Sequence, residues 1–179
     1  FTYPVMAIRI YLLGFMGAGK TYTGHRLARR LDFDFLDLDT FIEEAEGASI
    51  PVIFSTKGED YFRETEARCL RETGQFERVV IATGGGTPCY FGNLEWMNEN
   101  GVTIFLDTSE DILCKRLINS NKRPLVANKT TSGLTEFITR KLSERRPFYE
   151  GTHLCYETRS PVQKVAEDLF DYLVRFVHR

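Results

Sequence analysis

No apolar run in this sequence approaches the roughly 18 residues that a helix needs to cross a bilayer, so no membrane span is expected. The first residues lack a basic stretch, an apolar centre and a small-residue cleavage site, so no signal peptide is expected. Met6 reads as a candidate native start, with residues 1–5 added ahead of it. Cysteine is sparse: Cys69, Cys89, Cys114 and Cys155 stand far apart, with no C-x-x-C pair. That spacing indicates neither a zinc knuckle nor a redox dithiol, and points to free thiols in a reducing cytoplasm. His25, His153 and His178 form no ligand-like cluster. There is no internal repeat, low-complexity tract or Pro/Ser-rich linker. A dominant charge sign is missing too. Lysine and arginine total 23 against 25 aspartates and glutamates, a net charge of −2. No global basic field therefore gathers nucleic acid.

What is present is an ordinary globular composition over 179 residues, 42% hydrophobic and 27% charged. A chain of this length buries roughly 70% of its unfolded surface and needs no disulfide or metal to hold it. Short apolar runs alternate with amphipathic stretches. Strands are predicted at residues 8–13, 35–38, 79–82, 102–106 and 154–157. Helices are predicted at 20–31, 59–73, 93–100, after Thr108-x-x-Asp111, at 134–149 with Pro147 disturbing its end, and after Ser160-Pro161. Strands separated by helices imply βαβ units and a mostly parallel sheet, an α/β protein. The polar stretch 119–133 breaks the rhythm and reads as a loop or lid. Trp96 and Met97 read as a helix face.

Gly14-Phe15-Met16-Gly17-Ala18-Gly19-Lys20-Thr21 fits G-x-x-x-x-G-K-[ST] at every fixed position, after a strand and before a helix. Glycines let backbone N–H groups turn inward on phosphate oxygens, and the helix N-terminus adds a favourable dipole. Lys20 supplies a mobile positive charge for the β- and γ-phosphates, and Thr21 a hydroxyl for Mg²⁺. The competing reading, a chance glycine-rich turn, does not explain the Lys-Thr pair. A guanine-reading N-K-x-D is absent: Asn121-Lys122 runs into Arg123-Pro124, and Asn128-Lys129 into Thr130-Thr131. That argues against a GTPase.

Asp37-Leu38-Asp39 is expected to close the second strand with both carboxylates on one face. Ligands of open α/β sheets sit beyond the C-terminal strand ends, so both acids fall near the phosphate loop. One suits the metal, through water, and the other suits proton removal from an acceptor hydroxyl. A plain helix cap is the alternative for this pair. Arg63 and Glu66, three apart on a predicted helix, are neighbours, and the glutamate could hold the guanidinium ready for a planar carboxylate. A solvated surface pair is the bland alternative. Gly84, Gly85 and Gly86 follow the third strand and suit close approach of backbone to ligand. Arg116 precedes the polar segment and Arg123 lies within it, where a closing arginine could neutralise a transferring phosphoryl group. Arg145 and Arg146 follow later.

Together these residues resemble the shikimate kinase family across nearly the whole chain, from about Ile8 to the last helix. The matching elements are G-F-M-G-A-G-K-T, D-L-D, I-x-x-I-F-x-x-x-G-E-x-x-F-R-x-x-E, A-T-G-G-G, R-P-L and R-R-P-F-Y, in that order. The triple glycine and F-R-x-x-E discriminate most. The resemblance implies a single domain with a three-layer P-loop kinase core and a five-stranded parallel sheet. It adds an inserted helical substrate-binding region (about 40–68) and a mobile lid (about 118–129). It implies ATP-dependent phosphorylation of the 3-hydroxyl of shikimate, with Mg²⁺, by a cytoplasmic, monomeric enzyme with no nucleic-acid partner. Carried over by motif, Gly17, Ala18, Gly19, Lys20, Thr21 and Tyr22 would hold ATP phosphates. Thr21 and Asp37 would serve the metal. Asp39 would hold the attacking hydroxyl as base. Arg63 and Arg145 would clamp the substrate carboxylate, Gly85 and Gly86 would touch the ring, and Phe54 and Phe62 would shape the pocket. Lys20 and Arg123 would join Asp39 in catalysis; Arg123 is the lid arginine, and Arg116 and Arg159 would lie at adenine. Tyr22 departs from the small hydroxylated residue usual after the threonine, so its side chain could crowd the nucleotide. Arg146 competes with Arg145 for the clamp. A gluconate or adenylate kinase of the same fold, or a nucleotide-binding module without turnover, are the other readings.

Overall fold

A computed structural model of the chain describes residues 7–118, 130–158 and 162–177. The lid arginine Arg123, the adenine-loop candidate Arg159 and the Ser160-Pro161 helix start lie outside these residues, as does most of the 118–129 segment.

Five parallel strands form one sheet in the order β2-β3-β1-β4-β5. The central strand β1 (Ile8–Leu13) lies between β3 (Arg78–Ala82) and β4 (Val102–Asp107). The edges are β2 (Asp34–Asp37) and β5 (Leu154–Glu157). Residues 10–13, 79–82 and 103–106 of the inner strands are buried, which is why they read as continuous rather than alternating apolar runs. The edge strands are only half buried.

Among the described residues seven α-helices accompany the sheet: α1 (Lys20–Leu31), α2 (Leu38–Glu46), α3 (Ile50–Glu72), α4 (Asn93–Asn100), α5 (Glu110–Ile118), α6 (Thr131–Tyr149) and α7 (Val162–Val177). Helix α7 packs on α1, α2 on α3, and α5 on α6. Leu27 and Ala28 of α1 and Val165, Ala166 and Leu169 of α7 are buried in the core, as their spacing requires. Both α2 and α3 lie between β2 and β3, where the resemblance puts the inserted helical region.

Several element ends differ from the sequence reading. Strands β3 and β4 each gain a residue, at Arg78 and Asp107. Helix α6 starts at Thr131 rather than 134 because the Thr130 side chain accepts from the Gly133 N–H and caps it, so 131–133 belong to this helix and not to the polar segment. Strand β2 stops at Asp37, one residue early. Leu38 opens α2 because the Asp37 side chain accepts hydrogen bonds from the Asp39 and Thr40 N–H groups and caps the helix. Asp37 and Asp39 therefore do not alternate along a strand: one is the cap and the other sits in the first turn. Helix α3 starts nine residues earlier than predicted, at Ile50 rather than 59, because Gly58 (φ 85°) breaks it into two segments and masks the first in the pattern. In the first turn of α5 the Leu113 N–H donates to the Ser109 carbonyl, so Ser109 and not Thr108 stands at the cap position. The Thr108 hydroxyl is instead 2.8 Å from that of Thr158.

Where β4 begins, Gly101 passes so close to β1 that an added Cβ would stand 2.5 Å from the Arg9 carbonyl oxygen and 2.8 Å from the Tyr11 ring. Gly101→Ala is expected to lower unfolding free energy by about 2 kcal/mol, with an unchanged urea m-value. Urea denaturation checks it.

Candidate active site

Strands β1, β2 and β3 end on the same edge of the sheet, and each end delivers part of one site. After β1, residues 14–19 curl into a loop in which Gly14 has φ 146° and an added Cβ would stand 2.9 Å from the Leu106 carbonyl oxygen. Only glycine satisfies both constraints. Gly19, at φ 90°, precedes the first turn of α1, whose N-terminal N–H groups face the loop. Lys20 Nζ donates to the carbonyls of Gly14 (2.7 Å) and Phe15 (2.9 Å), which holds the ammonium at the loop. Arg116 Nη1 donates to the Gly17 carbonyl at 2.7 Å and ties α5 to the same loop. Ala18 is buried, while the Tyr22 ring projects outward: its hydroxyl accepts from Arg26 at 2.9 Å, one turn along α1.

After β2, Asp37 uses both carboxylate oxygens. Oδ1 caps α2, and Oδ2 accepts from the Thr21 hydroxyl at 2.8 Å. This pair joins the phosphate loop to the second strand and sets two hard oxygen donors side by side. Among the described residues no cluster of three or more His, Cys, Asp or Glu side chains could hold a metal by themselves. A cation seated here would draw its remaining ligands from phosphate oxygens and water, the pattern Mg²⁺ prefers.

After β3, Thr83 ties back to β1 through its N–H and hydroxyl, both donating to the Leu12 carbonyl. The glycine loop that follows is crowded at all three positions. A Cβ on Gly84 would stand 3.2 Å from Asp39 Oδ1 and 3.1 Å from Glu66 Oε1. One on Gly85 would stand 3.1 Å from Arg145 Nη1, and one on Gly86 would stand 2.9 Å from both terminal nitrogens of Arg63. The loop is glycine because two arginines and two carboxylates converge on its backbone.

Arg63 and Glu66 form the predicted pair at 2.9 Å, but it is no surface bridge: their side chains are 12% and 1% exposed. Glu66 Oε1 also accepts from the Thr87 hydroxyl at 2.6 Å. Arg63 lies over the Tyr90 ring (4.3 Å to the centroid) and near the Phe62 ring (5.1 Å), and Glu59 lies 3.4 Å away. Burial works against the Arg63 charge, but Glu66, Tyr90 and Glu59 outweigh it and hold its pKa above the ordinary value. Arg63 Nε is buried without a hydrogen-bond partner. Phe54 and Phe62 stack 4.6 Å apart on either side of the Gly58 break.

The adjacent arginines of α6 diverge. Arg145 reaches Gly85 and lies over the Phe15 ring, 5.5 Å from its centroid. Arg146 turns to Asp107 at the end of β4 (3.3 Å) and to Glu150 (3.3 Å). Of the candidates read from sequence, the structure brings together Lys20, Thr21, Asp37, Asp39, Arg63, Gly85, Gly86, Arg116 and Arg145. Two members escape the sequence reading: Thr87, which steadies Glu66, and Tyr149, whose buried hydroxyl donates to the Gly85 carbonyl at 2.6 Å. The A-T-G-G-G-T and R-R-P-F-Y runs contain both.

The family model described as shikimate kinase matches residues 16–174. The chain belongs to the shikimate kinase family. It is 49% identical over 142 residues to the shikimate kinase of Phocaeicola vulgatus, covering 79% of this chain and 81% of that one. The crystal structure of shikimate kinase from Bacteroides thetaiotaomicron superposes with a TM-score of 0.88 at 38% identity, covering 93% of this chain and 98% of that one. That of shikimate kinase from Acinetobacter baumannii in complex with shikimate gives 0.83 at 34% identity, covering 95% and 92%. The five-stranded parallel sheet with flanking helices is the P-loop kinase fold of those structures. As a member of the shikimate kinase family, the protein is an ATP-dependent kinase of shikimate.

Thr87→Val keeps the side-chain volume and removes one donor from a buried carboxylate. It is expected to cost about 2 kcal/mol of stability, measured by urea unfolding.

Proposed function

We propose that this protein transfers the γ-phosphoryl group of ATP to the 3-hydroxyl of shikimate, giving ADP and shikimate 3-phosphate, with the residues above in the following roles. The observation that carries this reading is the convergence of Asp39, Arg63 and Arg145 on one glycine loop beside the phosphate loop. A cyclic acid bearing hydroxyls needs just that combination: cations for its carboxylate, an acid for its hydroxyl, and exposed backbone against its ring.

Backbone N–H groups of residues 17–22 and the Lys20 ammonium hold the β- and γ-phosphates. Lys20 exchanges its carbonyl partners for phosphate oxygens. The Thr21 hydroxyl and the Asp37 carboxylate would hold Mg²⁺, which would supply neutralisation of phosphate charge and orientation of the transferring group. Arg63 and Arg145 clamp the carboxylate. Arg63 brings a pose fixed by Glu66 and a buried Nε with no partner of its own. Asp39 orients the attacking hydroxyl and takes its proton as the phosphoryl group transfers. Phe54 and Phe62 close an apolar wall on the pocket. Arg116, tied to the Gly17 carbonyl, would stack on adenine, and the family resemblance assigns Arg159 to the adenine loop and Arg123 to the closing charge. Helices α2 and α3 are the substrate-binding region. Among the described residues no helix is long and apolar enough to cross a membrane, and Cys69, Cys89, Cys114 and Cys155 are free thiols, which fits a cytoplasmic enzyme.

ADP release should require shikimate, with gluconate and AMP inert when offered in its place. ADP formed equally without shikimate would sink the reading. Arg63→Ala is expected to raise the shikimate KM about a hundredfold while the ATP KM moves less than about threefold. Asp39→Asn should lower kcat about a thousandfold with ATP binding retained by calorimetry. Unchanged turnover would remove Asp39 from the chemistry.

A further inference from the structure

Tyr149 is a fully buried tyrosine on the last turn of α6, and the roles above leave it unused. Its ring stacks on Phe105 of β4, with centroids 4.7 Å apart and planes 20° off parallel. Its hydroxyl meets two groups at once. It donates to the Gly85 carbonyl at 2.6 Å, and it lies in the field of the Arg145 guanidinium four residues earlier on the same helix, which itself packs against Gly85. The phenol thus sits where the glycine loop and the second arginine meet.

The Gly85–Gly86 peptide is trans, so the Gly85 carbonyl and the Gly86 N–H point in opposite directions. Drawing the carbonyl toward Tyr149 aims the Gly86 N–H away from the core. A peptide between two glycines has little side-chain constraint on its orientation and rotates readily. One strong hydrogen bond therefore decides which way this unit faces, where a bulkier pair would be fixed by its own sterics.

We infer that Tyr149 is a positioning residue for the acceptor substrate: its hydroxyl locks the Gly85–Gly86 peptide, against which the Arg145 guanidinium packs, in the orientation that receives shikimate. The inference rests on the proposed substrate role of this loop and of Arg145. It deepens that role by naming what orients the loop that Arg145 packs against. Nothing in it involves the nucleotide half of the site. Burial pushes the Tyr149 phenol up to about 12, against the opposing pull of Arg145, so the hydroxyl keeps its proton through the working range of the enzyme.

Tyr149→Phe tests this, because it keeps the ring and its stack on Phe105 and removes only the oxygen. The expected result is a shikimate KM raised about tenfold, an ATP KM within about twofold of wild type, and a Tm lowered by no more than a few degrees. The ratio of variant to wild-type shikimate KM should be flat between about pH 6 and 9, since the group does not titrate there. A shikimate KM within about twofold of wild type overturns the inference, as does a parallel rise in both KM values. Phe105→Leu disturbs the ring stack but keeps the hydroxyl. It should lower Tm while leaving the shikimate KM near wild type, and a KM rise matching that of Tyr149→Phe would assign the effect to ring packing and overturn the inference. Arg63→Ala run alongside separates the two levels. A raised shikimate KM in Arg63→Ala but not in Tyr149→Phe defeats this inference alone. An unchanged KM in Arg63→Ala defeats the reading of the loop, and this inference with it.

Discussion

A carboxylate with 1% of its side chain exposed survives in a protein only when its charge is met by close donors. Glu66 is such a group, and its two partners come from different parts of the fold. Arg63 reaches it from one turn earlier on α3, and Thr87 from the far end of the glycine loop. Meeting this one charge therefore docks the second segment of α3 against the end of β3. It also commits one face of the Arg63 guanidinium to the protein and leaves the rest for something else. Removing either partner leaves a buried charge short of a donor, which costs more than the pair contributes when intact. The geometry of the arginine is thus guaranteed by the stability of the fold.

The glycine loop is the second consequence. Once Arg63, Arg145, Asp39 and Glu66 crowd the end of β3, the backbone there has no room for side chains, and three successive positions lose them. The phosphate loop obeys the same logic from β1, where Gly14 passes under the Leu106 carbonyl. Asp37 links the two halves: one oxygen starts α2, which carries Asp39, while the other holds the Thr21 hydroxyl. A single carboxylate thereby sets the spacing between the phosphate side and the acceptor side. This is electrostatic preorganisation in structural form, with donors and charges placed before any ligand arrives.

Local patterns reveal the parts of this arrangement that local forces determine. Helices α1 and α4 begin and end where periodicity and glycine punctuation place them, and β1 and β5 match residue for residue. The phosphate loop is legible because strand, glycines and Lys-Thr all lie within a few positions. The Arg63–Glu66 pair is legible as a neighbour relation, but its burial is not, since three-residue spacing says nothing about what lies above a helix. Asp37 is both the strand end and the helix cap that the sequence allows, and Asp39 reads as a strand-end residue because a helix cap and a strand end look alike until the N–H groups that the carboxylate accepts from are known. The first segment of α3 is hidden by Gly58, whose positive φ ends one helical run and lets a second begin at once. Thr87 and Tyr149 act through partners 21 and 64 residues away, and no local pattern encodes such contacts.

The cations of the cleft show why position outweighs count. The net charge of −2 describes a near-neutral molecule, yet Lys20, Arg63, Arg116 and Arg145 stand around one edge of the sheet, each held by carbonyls, by a carboxylate or by packing over an aromatic ring. Arg146 makes the contrast. It is adjacent to Arg145 in sequence and chemically identical, but one step along an α-helix turns a side chain by about 100°. That rotation gives Arg146 to Asp107 and leaves Arg145 on the glycine loop. What separates a structural arginine from a substrate-facing one is here the phase of α6, and Tyr149, one turn beyond Arg145 on the same face, bonds to the same loop. The helix phase that selects Arg145 also brings in the hydroxyl that holds the loop on which Arg145 packs.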